Sequence, residues 1–137
     1  PQLTDKIHDG AVWADQGVIA GCSGGLFDNI TEAADIVRGH YTGSGAFSFD
    51  VYPTSVPVSL ELMKVGSTAD LLASGAIIKP SFCGPCFGAG DVPANNGLSL
   101  RHTTRNFPNR QRRPHHRRHR RGIHPHSSRV PLRQGSV

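Results

Sequence analysis

Three cysteines are the residues best suited to chemistry here: Cys22 alone, and Cys83 with Cys86 in the stretch FCGPCFG. A redox dithiol would need the first thiol of the pair at a helix N-terminus, where the dipole and free N–H groups lower its pKa. Cys86 is followed by Phe-Gly-Ala-Gly-Asp-Val-Pro, a run that does not favour a continuing helix. A structural zinc site needs four ligands, usually as two close pairs, and only one pair exists. His40 or His102 could complete such a site, although no spacing recommends either. A four-iron cluster held by three thiolates would leave one iron open as a Lewis acid. Buried structural thiols near a turn fit the spacing equally well.

Something must hold these thiols. GVIAGC, Gly17 to Cys22, is a short apolar run ending in small residues, which predicts a buried strand entering a turn. DNITEAADIVRG predicts a helix with Asp28 or Asn29 as N-cap and an apolar face of Ile30, Ala33, Ala34, Ile36 and Val37. Asn29 and Glu32 have capping-box spacing, and Gly39 supplies the stop. FSFDVYP alternates Phe47, Phe49 and Val51 with Ser48 and Asp50, the pattern of a strand stopped by Pro53. PVSLELMKVG and STADLLASG predict two further helices, with Pro57 in the first turn of one and Ser67 or Thr68 capping the other. AIIKP, Ala76 to Pro80, predicts a third strand, and FGAGDVPANNG beyond Cys86 reads as loop.

Strands alternating with helices predict the α/β class: a three-layer α/β/α domain with a mainly parallel sheet. Functional loops of such sheets gather beyond the carboxyl ends of the strands. Both cysteine segments follow strands, so the three thiols are expected to meet on one edge.

The charge is unevenly spread. Up to Arg110 there are seven Lys and Arg against ten Asp and Glu, a net −3; from Gln111 onward eight Arg face no acid, a net +8. Residues 1–110 therefore read as one mildly acidic domain and 111–137 as a basic tail. The first residue is Pro1, as expected of a processed chain or fragment, and no apolar run is long enough for a signal peptide or membrane span. Three cysteines do not make a disulfide scaffold, which points to a reducing, cytoplasmic setting.

AGCSGG, VYPTSVPV, GAIIKPSFCGPCFG and TTRNFPNR follow one another between residues 17 and 110. In that order they resemble the aconitase / 3-isopropylmalate dehydratase large-subunit family of hydro-lyases. The resemblance implies a [4Fe-4S] cluster with Cys22, Cys83 and Cys86 as its ligands. It implies that Arg105 and Arg110 face the carboxylates of a hydroxy-polycarboxylic acid, a task suited to guanidinium forks. It further implies missing domains or a small subunit as partners. The family's serine base has no counterpart in this chain, so no catalytic residue is assigned and activity of the isolated chain is not expected. Thr104 stands where aconitases proper have Asn, and Ser23-Gly24-Gly25 replaces a Thr-Asn pair. Both differences point away from citrate and toward a hydratase branch.

The tail, with its stretch QRRPHHRRHRRG, allows a different class of function, a zinc- or nucleic-acid-binding basic module. It lacks interleaved aromatics, and its composition predicts a disordered, charged tract that binds polyanions non-specifically. Its origin has a further explanation. The family continues past this point with a segment similar to D-A-R-T-I-A-A-T-A-A-G. Written in GC-rich codons, A-R-T-I-A-A-T-A-A-G read from its third base gives P-H-H-R-R-H-R-R-G, the peptide of Pro114 to Gly122. The tail is therefore expected to be an out-of-frame product of a small deletion near Arg110. Sequencing the gene around the Arg110 codon checks this. The alternative frame should encode a family-like peptide, and an alternative frame without one refutes the frameshift.

Overall fold

The computed structural model describes residues 3–42 and 45–104. Arg105, Arg110 and the 111–137 tail lie outside the described residues. A 3₁₀ turn at Leu3–Lys6 leads into a hairpin of β1 (Ile7–His8) and β2 (Ala11–Val12). Its turn is Asp9-Gly10, with φ of 52° and 73°, the dipeptide that best accepts positive φ at both central positions. Lys6 then pairs with Asp15 at 2.7 Å, and the Asp15 carboxylate accepts the Leu98 N–H at 2.7 Å.

The main body follows the order β3 (Gln16–Ile19), α1 (Gly21–Gly24), α2 (Phe27–Val37), β4 (Ser48–Val51), α3 (Val56–Lys64), α4 (Ser67–Ala73), β5 (Ile77–Ile78), α5 (Gly84–Phe87) and β6 (Ser99–His102). Four of these strands form one parallel sheet in the order β5-β4-β3-β6. The α/β class and the parallel sheet are as expected. The strand β6 is not among the expected elements, yet its residues pair along the whole of β3, Gln16 with Ser99 through Ile19 with His102. Leu98 and Leu100 do alternate with Ser99 and Arg101, a strand signal too short to outweigh the loop composition before it.

Helix caps also depart from expectation. α2 starts two or three residues earlier, with Leu26 as its N-cap, and no side chain caps it. Asn29 instead donates its side-chain amide to the Ser23 carbonyl, fixing α2 against α1 rather than closing a capping box. In α4 the cap is Gly66, while Ser67 is helical and buried. α3 is capped by Ser55, whose hydroxyl accepts the Val58 N–H at 3.4 Å.

Register gives the sheet two different faces, because neighbouring residues of a strand point to opposite sides. On one side Ile19, Phe49 and Val51 pack with Ile30, Ala33, Ala34 and Val37 of α2, Leu62 of α3 and Leu71 of α4. Ile36, placed on the apolar face by pattern, is exposed instead. Both crossovers, β3 to β4 and β4 to β5, move in the same direction along the sheet, so right-handed connections put all three helices on this side. The other side carries a small cluster of Val18, Ala20 and Tyr52 beside polar residues. The described residues thus supply the sheet and one helical layer.

Leu62 is 2 % exposed and Leu60, on the same helix, 52 %. Leu62→Ala should destabilise the chain by about 2–5 kcal/mol through lost burial and the cavity left behind. Leu60→Ala should change stability by no more than about 0.5 kcal/mol. Urea unfolding of the two variants measures the difference.

Candidate functional site

Each cysteine segment leaves the carboxyl end of a strand, and the fold brings the two segments together. β3 ends at Ile19, Ala20 is extended, and Cys22 falls in the single turn of α1. β5 ends at Ile78, and Cys83 is the N-cap of the single turn of α5, which contains Cys86. α1 and α5 are in contact. Gly21 explains how closely they approach: a Cβ at this position would overlap Cys86 Sγ. Only a glycine there lets the Cys86 thiol lie against the backbone one residue before Cys22, and its φ of +83° also favours glycine.

None of the three thiols is in a disulfide; Cys22 and Cys83 are exposed and Cys86 is buried. Among the described residues, no three His, Cys, Asp or Glu side chains are arranged to hold a metal ion. The donor set nevertheless fits an iron–sulfur cluster, a thiolate-seeking group. Two thiols face outward from adjoining turns and the third lies between those turns. The cysteine pair opens a single helical turn that does not continue beyond Phe87, as expected from the residues after Cys86. That helix stops after four residues at Gly88, which limits the dipole a redox thiol would exploit.

β6 brings a third segment to the same edge. The Ala20 N–H donates to the His102 carbonyl at 3.0 Å, and the Ser23 hydroxyl donates to the Thr103 carbonyl at 3.3 Å. Thr104 Cγ2 comes within 3.7 Å of the point where a Gly21 side chain would begin. The residue preceding the R-N-F-P-N-R stretch is therefore placed beside the thiols, while Arg105 and Arg110 themselves lie outside the described residues.

Behind the cysteines, on the sheet face away from the helices, is a polar network that sequence reasoning missed. Asp50, on β4 and 3 % exposed, faces Lys79 Nζ at 3.4 Å, and the same ammonium reaches Asp91 at 3.8 Å. Burial, then the charge of Asp91, raises the Asp50 carboxyl above its ordinary 3.8, against the pull of Lys79 and a hydrogen bond from Ser48. Tyr52 gives its hydroxyl to Asp91. Burial, that bond and the charges of Asp91 and Asp50 push its phenol well above the ordinary value, with Arg101 opposing. Asp91 Oδ2 is buried without a hydrogen-bond partner among the described residues. The signal in the sequence is Asp50, a polar residue in a strand of a mainly parallel sheet, where strands are buried on both faces.

The raised pKa sets a pH dependence. The folded chain holds the Asp50 proton more tightly than the unfolded chain, so this stabilisation is complete below 3.8 and is lost as pH rises through the folded value. Asp50→Asn should remove that downward component. Urea midpoints measured from roughly pH 4 to 7 should therefore fall less steeply in the variant than in the natural sequence.

The profile of the Aconitase family (aconitate hydratase) matches residues 2–120. The chain is 34 % identical over 110 residues to the 2,3-dimethylmalate dehydratase large subunit of Eubacterium barkeri, a match covering 80 % of this chain and 26 % of that protein. It is 36 % identical over 97 residues to the 3-isopropylmalate dehydratase large subunit of Mycolicibacterium smegmatis, covering 70 % and 23 %. It is 31 % identical over 113 residues to the mitochondrial homoaconitase of Debaryomyces hansenii, covering 80 % and 16 %. The matched region thus spans about a quarter, or less, of the length of these relatives.

Proposed function

This chain belongs to the aconitase family, and on that premise we propose that it is the thiol-bearing part of an iron–sulfur hydro-lyase. The reaction is reversible addition or removal of water on a hydroxy-polycarboxylic acid. The observation that carries the reading is the contact of α1 with α5, which sets the Cys22 segment against the Cys83/Cys86 segment at the carboxyl edge of a parallel sheet. Cys22, Cys83 and Cys86 would hold a [4Fe-4S] cluster. When bound, that group supplies a Lewis-acidic iron with no protein ligand.

The chain's own residues do the rest of the work at this edge. Gly21 leaves room for Cys86 to approach α1, and β6 delivers the chain at Thr104 beside the site. Arg105 and Arg110 follow and are suited to bind substrate carboxylates as bidentate partners. The base that moves the proton belongs to a part of the enzyme outside this chain. Two of the relatives are named large subunits, so a small subunit or further domains of the same enzyme complete the site. The setting is cytoplasmic, where thiols stay reduced. Among the described residues no helix is long and apolar enough to cross a membrane.

Anaerobic reconstitution with iron and sulfide tests the reading. The chain should take up about four iron and four acid-labile sulfide atoms, with the visible absorption of a cluster. Cys83→Ser should lose most of both. Tight zinc binding without sulfide overturns the proposal in favour of a zinc-binding basic module.

A further inference from the structure

The stretch between β5 and β6 leaves the sheet, makes one helical turn and returns. Excursions of this kind open more readily than the elements they connect. Lys79 and Tyr52 meet it at the Asp91 carboxylate, and a side chain of β6 holds it nearer the cysteines. Arg101, on β6, donates from Nη1 to the Pro85 carbonyl at 3.1 Å and from Nη2 to the Asp91 carbonyl. Pro85 precedes Cys86 directly and Asp91 follows it by five residues, so the guanidinium grips the loop on both sides of that thiol.

The guanidinium is itself held in place. Nη2 also donates to Gln16 Oε1 at 2.9 Å, and Nε donates to Ser99 Oγ at 2.9 Å. The Ser99 hydroxyl in turn donates to Gln16 Oε1 at 2.7 Å. Register accounts for the arrangement. Gln16 pairs with Ser99 and Val18 with Arg101, so Gln16, Ser99 and Arg101 share the face away from the helices. A planar fork with several fixed donors can reach two carbonyls and two side chains at once, which a single ammonium cannot do with the same geometry.

We propose that Arg101 is a positioning residue of the thiol site. It clamps the Cys83–Cys86 turn to the sheet and keeps the Cys86 thiol buried over Gly21 before any cofactor arrives. The purpose of the clamp rests on reading Cys83 and Cys86 as ligands, whereas the clamp itself is a property of the metal-free chain.

The test uses the full 137-residue chain, metal-free, reduced and anaerobic. Iodoacetamide alkylation is followed at each cysteine by peptide mass spectrometry. In Arg101→Gln, Cys86 should react roughly ten times faster or more, because charged hydrogen bonds are among the stronger ones and their loss favours local opening. Cys22 should keep its rate. Arg101→Lys keeps the cation but not the fork, and should give a smaller rise confined to Cys86. An unchanged Cys86 rate in both variants overturns the proposal. So does an equal rise at all three thiols, which would make Arg101 a general stabiliser. Iron and sulfide analysis of the unmutated chain separates the two ideas. Selective opening of Cys86 in a chain that binds no cluster removes the cofactor reading and leaves the clamp standing.

Discussion

A parallel sheet must be covered on both faces, and the two faces here are covered by different physics. Toward the helices, Ile19, Phe49 and Val51 meet leucine, isoleucine, valine and alanine, and burial of apolar surface does the work. On the opposite face the register lines up Gln16, Asp50, Tyr52, Lys79, Ser99 and Arg101. Such groups can be buried only with partners, since an unpaired charge in a low-dielectric interior is strongly unfavourable. The loop carrying the cysteine pair supplies them: the Pro85 and Asp91 carbonyls for Arg101, and the Asp91 carboxylate for Lys79 and Tyr52. The conformation of the thiol-bearing loop is therefore tied to electrostatic necessity on the second face of the sheet.

Asp50 shows the balance within that network. Its charge is opposed by burial and by Asp91, and favoured by Lys79. Lys79 faces two carboxylates, at 3.4 and 3.8 Å, so neither acid has a cation to itself. By contrast the ion pairs of Arg38 with Asp35 and of Lys64 with Glu61 are exposed, helix-local and of small energetic consequence. The distribution of charge matters here through a few buried groups and not through the count of ion pairs.

Helical periodicity, glycine stops and strand alternation made the α/β class and the three long helices legible, because those signals lie within ten or so neighbouring residues. The cap of α2 was misread because Asn29 had a tertiary use, the Ser23 carbonyl, that outcompeted its local one. β6 was missed because four residues of alternation follow a long run of turn formers, and its stability comes from pairing with β3, 83 positions away. At the site, thiol spacing and the resemblance indicated Cys22, Cys83 and Cys86. The closeness of Cys86 to Gly21 and the four-way bonding of Arg101 depend on segments distant in sequence, and no local pattern encodes them.

The position of β6 at the end of the described chain has a consequence for how the protein is made. Synthesis delivers β3, β4 and β5 together with their helices well before residues 99–102, and domains begin to organise as they emerge. Until β6 arrives, β3 is an edge strand with an unsatisfied row of N–H and C=O groups, a surface open to pairing with other chains. Closing that edge requires a long-range contact, which is slow to form. The same event brings in Arg101 and its bonds to the cysteine loop. The interval between synthesis of β5 and docking of β6 is therefore when aggregation at the sheet edge and oxidation of the three thiols compete most directly with folding.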